Sequence, residues 1–98
     1  MVTSSPPAPS GGSLVAAADR VDGLIAEGLA AGQIRSDVGI DLRNLLRIAA
    51  TATNQADLTA AVARLRDKIG ERQREGSVSP AYASRLDAAA AQLGAART

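Results

Sequence analysis

No histidine and no cysteine occur in this chain of 98 residues, and that removes most side-chain catalysis at the outset. Cys–His and Ser–His–Asp machinery needs an imidazole, with a thiol or hydroxyl beside it. Imidazole and thiolate metal sites are excluded in the same way. Carboxylates, guanidinium groups, hydroxyls and one phenol remain. Asp19 and Asp22 stand three positions apart and would share one side of a helix. They are the candidate pair for a hard cation. Two carboxylates without further converging oxygens hold such an ion poorly, so solvated surface is the expectation. Gly11-Gly12 lies in a Ser/Pro-rich run with no following lysine and no preceding strand, which does not make a phosphate loop. We expect no catalytic, cofactor-binding or metal-binding residues, and the sequence names no ligand-binding residue.

The densest basic stretch is Arg64, Arg66, Lys68, Arg72 and Arg74. An anion or nucleic-acid face would look like this. Asp67, Glu71 and Glu75 interrupt it at pairing distance, giving Arg64/Asp67, Lys68/Glu71 and Arg72/Glu75 three residues apart. A salt-bridged solvent face is therefore expected, with no nucleic-acid partner. Tyr82 is the only aromatic residue. It falls on an apolar stripe, so packing is expected of it, with its hydroxyl at the rim. Thr51, Thr53, Asn54 and Gln55 read as a polar joint.

The elements that must carry these residues come in duplicate. Residues 14 to 52 match residues 58 to 96 at a constant offset of 44. Leu14 pairs with Leu58, Val21 with Leu65, Ile25 with Ile69, Gly32 with Gly76, Ile34 with Val78 and Leu42 with Leu86. Each copy reads as helix, glycine, tight turn, helix.

Four apolar stripes follow, each at spacings of three and four. They are Leu14, Ala18, Val21 and Ile25; Val38, Leu42, Leu45, Ala49 and Ala52; Leu58, Val62, Leu65 and Ile69; and Tyr82, Leu86, Ala89, Leu93 and Ala96. Leu46 and Ile48 flank the second stripe. Ser13, Ser36 or Asp37, Asn54 and Ser79 are the expected N-caps, and Pro80 takes a first helical position. Gly32 and Gly76 suit the left-handed residue just past a helix end. Gly39 is either loosened first-turn geometry or a point of close approach. Where the second helix has Leu45 then Ala49, the fourth has Ala89 then Leu93, so large and small exchange places and one core layer is expected to hold both. The fold class expected is all-α, an antiparallel four-helix bundle built from two repeated helical hairpins.

Residues 14–98 form this bundle in the expected organisation, and residues 1–13 a disordered Pro/Gly/Ser-rich linker. A linker at the start suggests a piece of a longer protein. The first residues lack the basic and apolar regions of a signal peptide, and no apolar run is long enough to cross a bilayer. The net charge is +1, from eleven basic and ten acidic residues, which gives no general attraction to nucleic acid or an anionic membrane. Without Phe or Trp, the core must come from Leu, Ile, Val and Ala.

The second hairpin carries Leu65, Arg66, Lys68, Ile69 and Arg72, then Gly76, Val78, Ser79, Ala83 and Leu86. This resembles the pattern L-R-x-K-I-x-x-R followed by G-x-[IV]-S-x-x-x-A-x-x-L. It is found in the C-terminal extracytoplasmic helical domain of actinobacterial receptor-type Ser/Thr protein kinases. The first hairpin matches through Gly32, Ile34 and Leu42. Similar Gly-Ile-Ser hairpins occur in helical modules appended to secreted bacterial enzymes. In such kinases a catalytic domain and one membrane helix precede a Pro/Ser/Ala-rich linker, which residues 3 to 13 resemble. The kinase's own motifs are absent from this chain. The resemblance implies a non-catalytic, extracytoplasmic sensor or interaction domain, without cofactor, binding a protein partner or a small extracellular ligand. A monomer or weak self-association is expected. The alternative is a structural or adaptor module unrelated to a kinase.

Overall fold

A computed structural model describes residues 10–96 of the chain as four helices: α1 (Ser10–Ala30), α2 (Ser36–Ala50), α3 (Gln55–Arg74) and α4 (Pro80–Ala95). The expected disorder of residues 1–9 lies outside the described residues. Residues 10–13 belong to α1, so the helix starts four residues before Leu14. It begins directly after Pro9, the last proline of the run, and Ser13 sits within the helix instead of capping it. Among the described residues there is no strand, only one isolated β-bridge.

Each helix packs on two others: α1 on α2 and α4, and α3 on α2 and α4, with no packing across the diagonals. A four-cornered bundle results, and the apolar stripes meet along its axis. Leu42, Leu58, Leu65, Leu86 and Leu93 are completely buried, as are Val21 and Ile25. Ile69 is 1 % exposed. Ala49 and Leu93 are fully covered in the same core cluster, while Leu45 and Tyr82 pack against it half-buried. Ala83 and Ala90, which the stripes left out, are also buried. Ile48 is a correction. It was expected to flank the second stripe and is 53 % exposed, because the core side of α2 is already filled by Leu42, Leu46 and Ala49.

The turns carry the register. Gly32 has φ +72° and Gly76 φ +83°, a region where a side chain is strained and glycine is not. Past Gly32, the amides of Gln33 and Ile34 donate to the Gly28 carbonyl at 2.8 and 3.1 Å. Forty-four positions on, the amides of Ser77 and Val78 donate to the Arg72 carbonyl at 2.8 and 3.3 Å. These bonds satisfy carbonyls at the helix ends and turn Ile34 and Val78 inward, to 3 % and 1 % exposure. The two turns then join. Arg35 N donates to Ser77 O at 3.1 Å, and Ser79 N to Gln33 O at 3.0 Å, the antiparallel bridge of Ile34 and Val78.

The caps partly follow. Asn54 accepts from Asp57 N at 2.8 Å, and its own amide donates to the Asp57 carboxylate. Ser79 accepts from Tyr82 N with Pro80 just inside the helix. The cap of α2 is a correction: Ser36 is its first helical residue, and Arg35 precedes it with no side-chain cap bond. The bridge holds Arg35 extended, so α2 starts immediately after it. Gly39 is a point of close approach, since a Cβ there would come within 2.8 Å of Leu29 Cδ2.

Truncating Leu65 or Leu86 to alanine should destabilise the fold by about 2–5 kcal/mol. Urea denaturation reads this, and a loss below about 0.5 kcal/mol would contradict their central position. A second test sets two glycines of α1 against each other. A Cβ at Gly28 would meet the Ile34 side chain and come within 3.3 Å of Tyr82 Cδ1, and Ile34, 3 % exposed, has little room to withdraw. A Cβ at Gly23 meets nothing within 4 Å. Gly28→Ala should lower stability by about 1–3 kcal/mol, while Gly23→Ala should raise it by about 0.5–1 kcal/mol. Thermal melts giving both changes the same sign would refute this packing of Ile34.

Candidate functional site

Every pair of helices that packs together borders a groove open to solvent, and these grooves are where side-chain chemistry collects. Between α1 and α2, a groove of about 220 Å³ is lined by Asp19, Asp22, Arg43 and Arg47 around Ala18 and Leu46. The Asp22 carboxylate accepts from Arg43 Nε at 2.8 Å. The carboxylate pair considered for a cation thus has a guanidinium partner on one member. Among the described residues no group of three or more ligating side chains converges.

Between α3 and α4, Arg66, Gln73, Ser84 and Asp87 border a groove of the same size. Arg66 donates to both Asp87 oxygens, from Nε at 2.8 Å and Nη2 at 3.1 Å. This two-pronged contact is the best-formed ion pair in the described chain. It holds the Asp87 carboxyl below its usual range, chiefly through the Arg66 hydrogen bond, and raises the Arg66 pKa. Asp87 lies 44 positions after Arg43, and Arg66 lies 44 after Asp22. The same ion pair therefore recurs with its signs exchanged.

Between α2 and α3, Ile48, Thr51, Asp57, Ala60 and Arg64 line a groove of about 300 Å³ at the joint. Thr51 Oγ1 donates to the Arg47 carbonyl, and Gln55 reaches across to the Gly94 carbonyl at 3.1 Å. The polar joint therefore closes the end of α2 and ties the start of α3 to α4. At the other end of this helix pair, Arg72 contacts Glu75 at 2.7 Å and Asp41 of α2 at 3.5 Å. Its Nε is buried with no hydrogen-bond partner. Both carboxylates keep the Arg72 pKa raised, with the Glu75 hydrogen bond first among the causes.

The basic stretch is thus mostly paired. Lys68 meets Glu71 at 3.3 Å and Arg72 meets Glu75, as expected. Arg66 leaves its own helix for Asp87. The expected Arg64/Asp67 pair does not form: Arg64 lies instead in the joint groove beside Ile48.

The α1–α4 groove was not foreseen. Arg20, Leu24, Arg85, Ala88, Ala89 and Gln92 line about 370 Å³. The Arg85 guanidinium lies 5.4 Å from the centroid of the Tyr82 ring, a cation–π distance. No charge pattern pointed here, because Arg20 and Arg85 are 65 positions apart and only the packing of first helix on last brings them to one groove.

Asp87 sets a pH dependence. Its folded pKa is below the ordinary value of about 3.9, so the pair's contribution is present above that value and lost as pH falls through the folded one. Asp87→Asn should remove this component. The stability difference between parent and variant should shrink steadily from neutral pH into strong acid, as read by urea denaturation. A difference independent of pH would refute the pairing. No known protein family, no curated protein and no solved structure matches this chain.

Proposed function

We propose that the chain is a non-catalytic extracytoplasmic sensor or interaction domain of a receptor Ser/Thr kinase. In this reading it is an antiparallel bundle of two repeated helical hairpins, and it engages a ligand or protein partner through helix surfaces. The observation that carries this is where the resembling residues lie. Leu65, Ile69, Val78, Ala83 and Leu86 are core. Gly76 makes the turn and Ser79 caps α4. Arg66, Lys68 and Arg72 are engaged in ion pairs. The pattern is taken up in building this hairpin and, through Arg72 and Val78, in joining it to α2 and the first turn, which leaves the remaining surfaces free to differ between proteins that share it. The matched turn bonds 44 positions apart support the repeat.

Binding through surfaces accords with the open grooves between the helices of the described residues. Ile40 is 62 % exposed and Ile48 53 %, apolar side chains suited to protein contact. A partner would signal by binding one packing or association state better than another, and the linker would carry that change toward the membrane. No helix among the described residues is long and apolar enough to cross one. The adaptor reading, unrelated to a kinase, draws on the same exposed isoleucines.

The coding sequence upstream of Met1 separates the two readings. A kinase catalytic domain followed by one apolar helix is the expected result. A frame without them sinks the kinase reading and leaves the adaptor. In either case sedimentation should give a monomer at about micromolar concentration, because alanine-rich faces supply few large anchors for tight association. A nanomolar dimer would overturn that expectation.

A further inference from the structure

On the proposed repeat, the four grooves form two equivalent pairs. The α1–α2 and α3–α4 grooves correspond, and each keeps its Asp–Arg pair. The α1–α4 and α2–α3 grooves correspond too, but these two have diverged. Arg72 spans α2–α3 to Asp41. The positions 44 earlier and 44 later are Gly28 and Arg85. The residue that should reach across has no side chain, and the carboxylate that should receive it has become a cation. No ion pair spans α1–α4 among the described residues.

Charge follows the same division. The α1–α2 groove holds Asp19 and Asp22 beside its arginines. The α2–α3 groove holds Asp57 with Arg64, and the α3–α4 groove Asp87 with Arg66. The α1–α4 groove holds Arg20 and Arg85 and no acid at all. Neither arginine belongs to an ion pair in the described chain. The acids of α1 that line a groove face α2, and the one acid of α4 is bound to α3. Tyr82 beneath the Arg85 guanidinium restrains its plane and leaves its N–H edge able to donate. The floor between the two cations is Leu24, Ala88 and Ala89.

We propose that the α1–α4 groove docks an acidic amphipathic helix of a protein partner. Its apolar side chains rest on Leu24, Ala88 and Ala89, and its carboxylates pair with Arg20 and Arg85. This gives a partner class to the interaction domain proposed above and rests on that reading. Two unpaired cations on an apolar floor complement a carboxylate-bearing surface. The short side chains of Ala88 and Ala89 let a second helix approach closely. Nucleic acid would find too few cations to release its counterions. A small free anion would find an open groove without buried donors.

The test is an NMR titration of the isotope-labelled full chain with a synthetic capped helix of about four turns. It carries leucines at helical spacing and glutamates on both flanks, and a twin peptide carries glutamine in place of glutamate. Shift changes should centre on Leu24, Ala88 and Ala89. Arg20→Gln and Arg85→Gln should each weaken binding about threefold and together about tenfold, while Arg64→Gln and Arg74→Gln leave it unchanged. Added salt should weaken it as well. Arg85→Lys keeps the charge and should fall between parent and Arg85→Gln, and unchanged melting temperatures exclude loss of fold. Equal binding of the glutamine twin overturns the proposal. So do shifts centred on Ile40 and Ile48, displacement of the peptide by duplex DNA or inorganic phosphate, self-association through this groove, or no shifts at about millimolar peptide. These results do not depend on the upstream coding sequence, so this proposal and the kinase reading can fail separately.

Discussion

The bridge between the two turns is the constraint on which the other elements depend. It needs a left-handed residue at Gly32 and at Gly76, which frees the next two amides to close the helix end and swings the following side chain inward. Ile34 and Val78 then arrive extended and opposed, and their neighbours exchange two backbone hydrogen bonds. Such bonds contribute about 0.5–1.5 kcal/mol each in net terms. Full burial of an isoleucine or valine contributes about 1.5–3 kcal/mol. The two inserted side chains therefore supply most of the cohesion at this end, and the bonds fix the register. Because Arg35 and Ser79 are held extended, α2 and α4 must start where they do.

Much of this was legible in the residues, because an apolar stripe and a glycine past a helix end are local signals. Val21, Ile25, Leu42, Leu65, Ile69, Leu86 and Leu93 are buried for the reason their spacing gave. The departures lie where a neighbour outside the helix decides. Ile48 stands next to the second stripe, yet which flank of that stripe faces the core depends on where α3 lies. Ser36 is a better N-cap than Arg35 by side chain, but the bridge determined the backbone there. Arg64 is spaced to meet Asp67, and that ordinary surface pair is worth so little that side-chain freedom and the nearby groove prevail.

The groove chemistry was less legible still. A single helix announces its buried face, and says nothing of which charges its packing partner will place beside it. Arg66 looked like one member of a solvent-facing run and turned out to hold α4 through Asp87. Arg20 and Arg85 carried no signal singly. For Arg85 the signal lay in the offset of 44, where Asp41 answers to it and Arg72 to Gly28. It is visible only once Arg72 and Asp41 are known to touch.

On the proposed repeat, the exchange of sign between Asp22–Arg43 and Arg66–Asp87 separates the native pairing of helices from its exchanged alternative. Two nearly equivalent hairpins would offer each helix two similar partners, and a chain built so would risk packing the wrong pairs together. With the signs as they are, α1 opposite α2 and α3 opposite α4 each bring a carboxylate to a guanidinium. An arrangement that put α1 in that relation to α4 would set Asp22 against Asp87, and α3 against α2 would set Arg66 against Arg43. Had both hairpins kept the same sign order, the exchanged pairing would have satisfied its charges as well as the native one. These pairs are exposed enough that each stabilises the fold by well under about 1 kcal/mol. Their larger effect is on the difference between pairings, since the wrong one loses two attractions and gains two repulsions. Weak surface charges can thus favour one arrangement alongside the exchange of large and small residues between the second and fourth stripes.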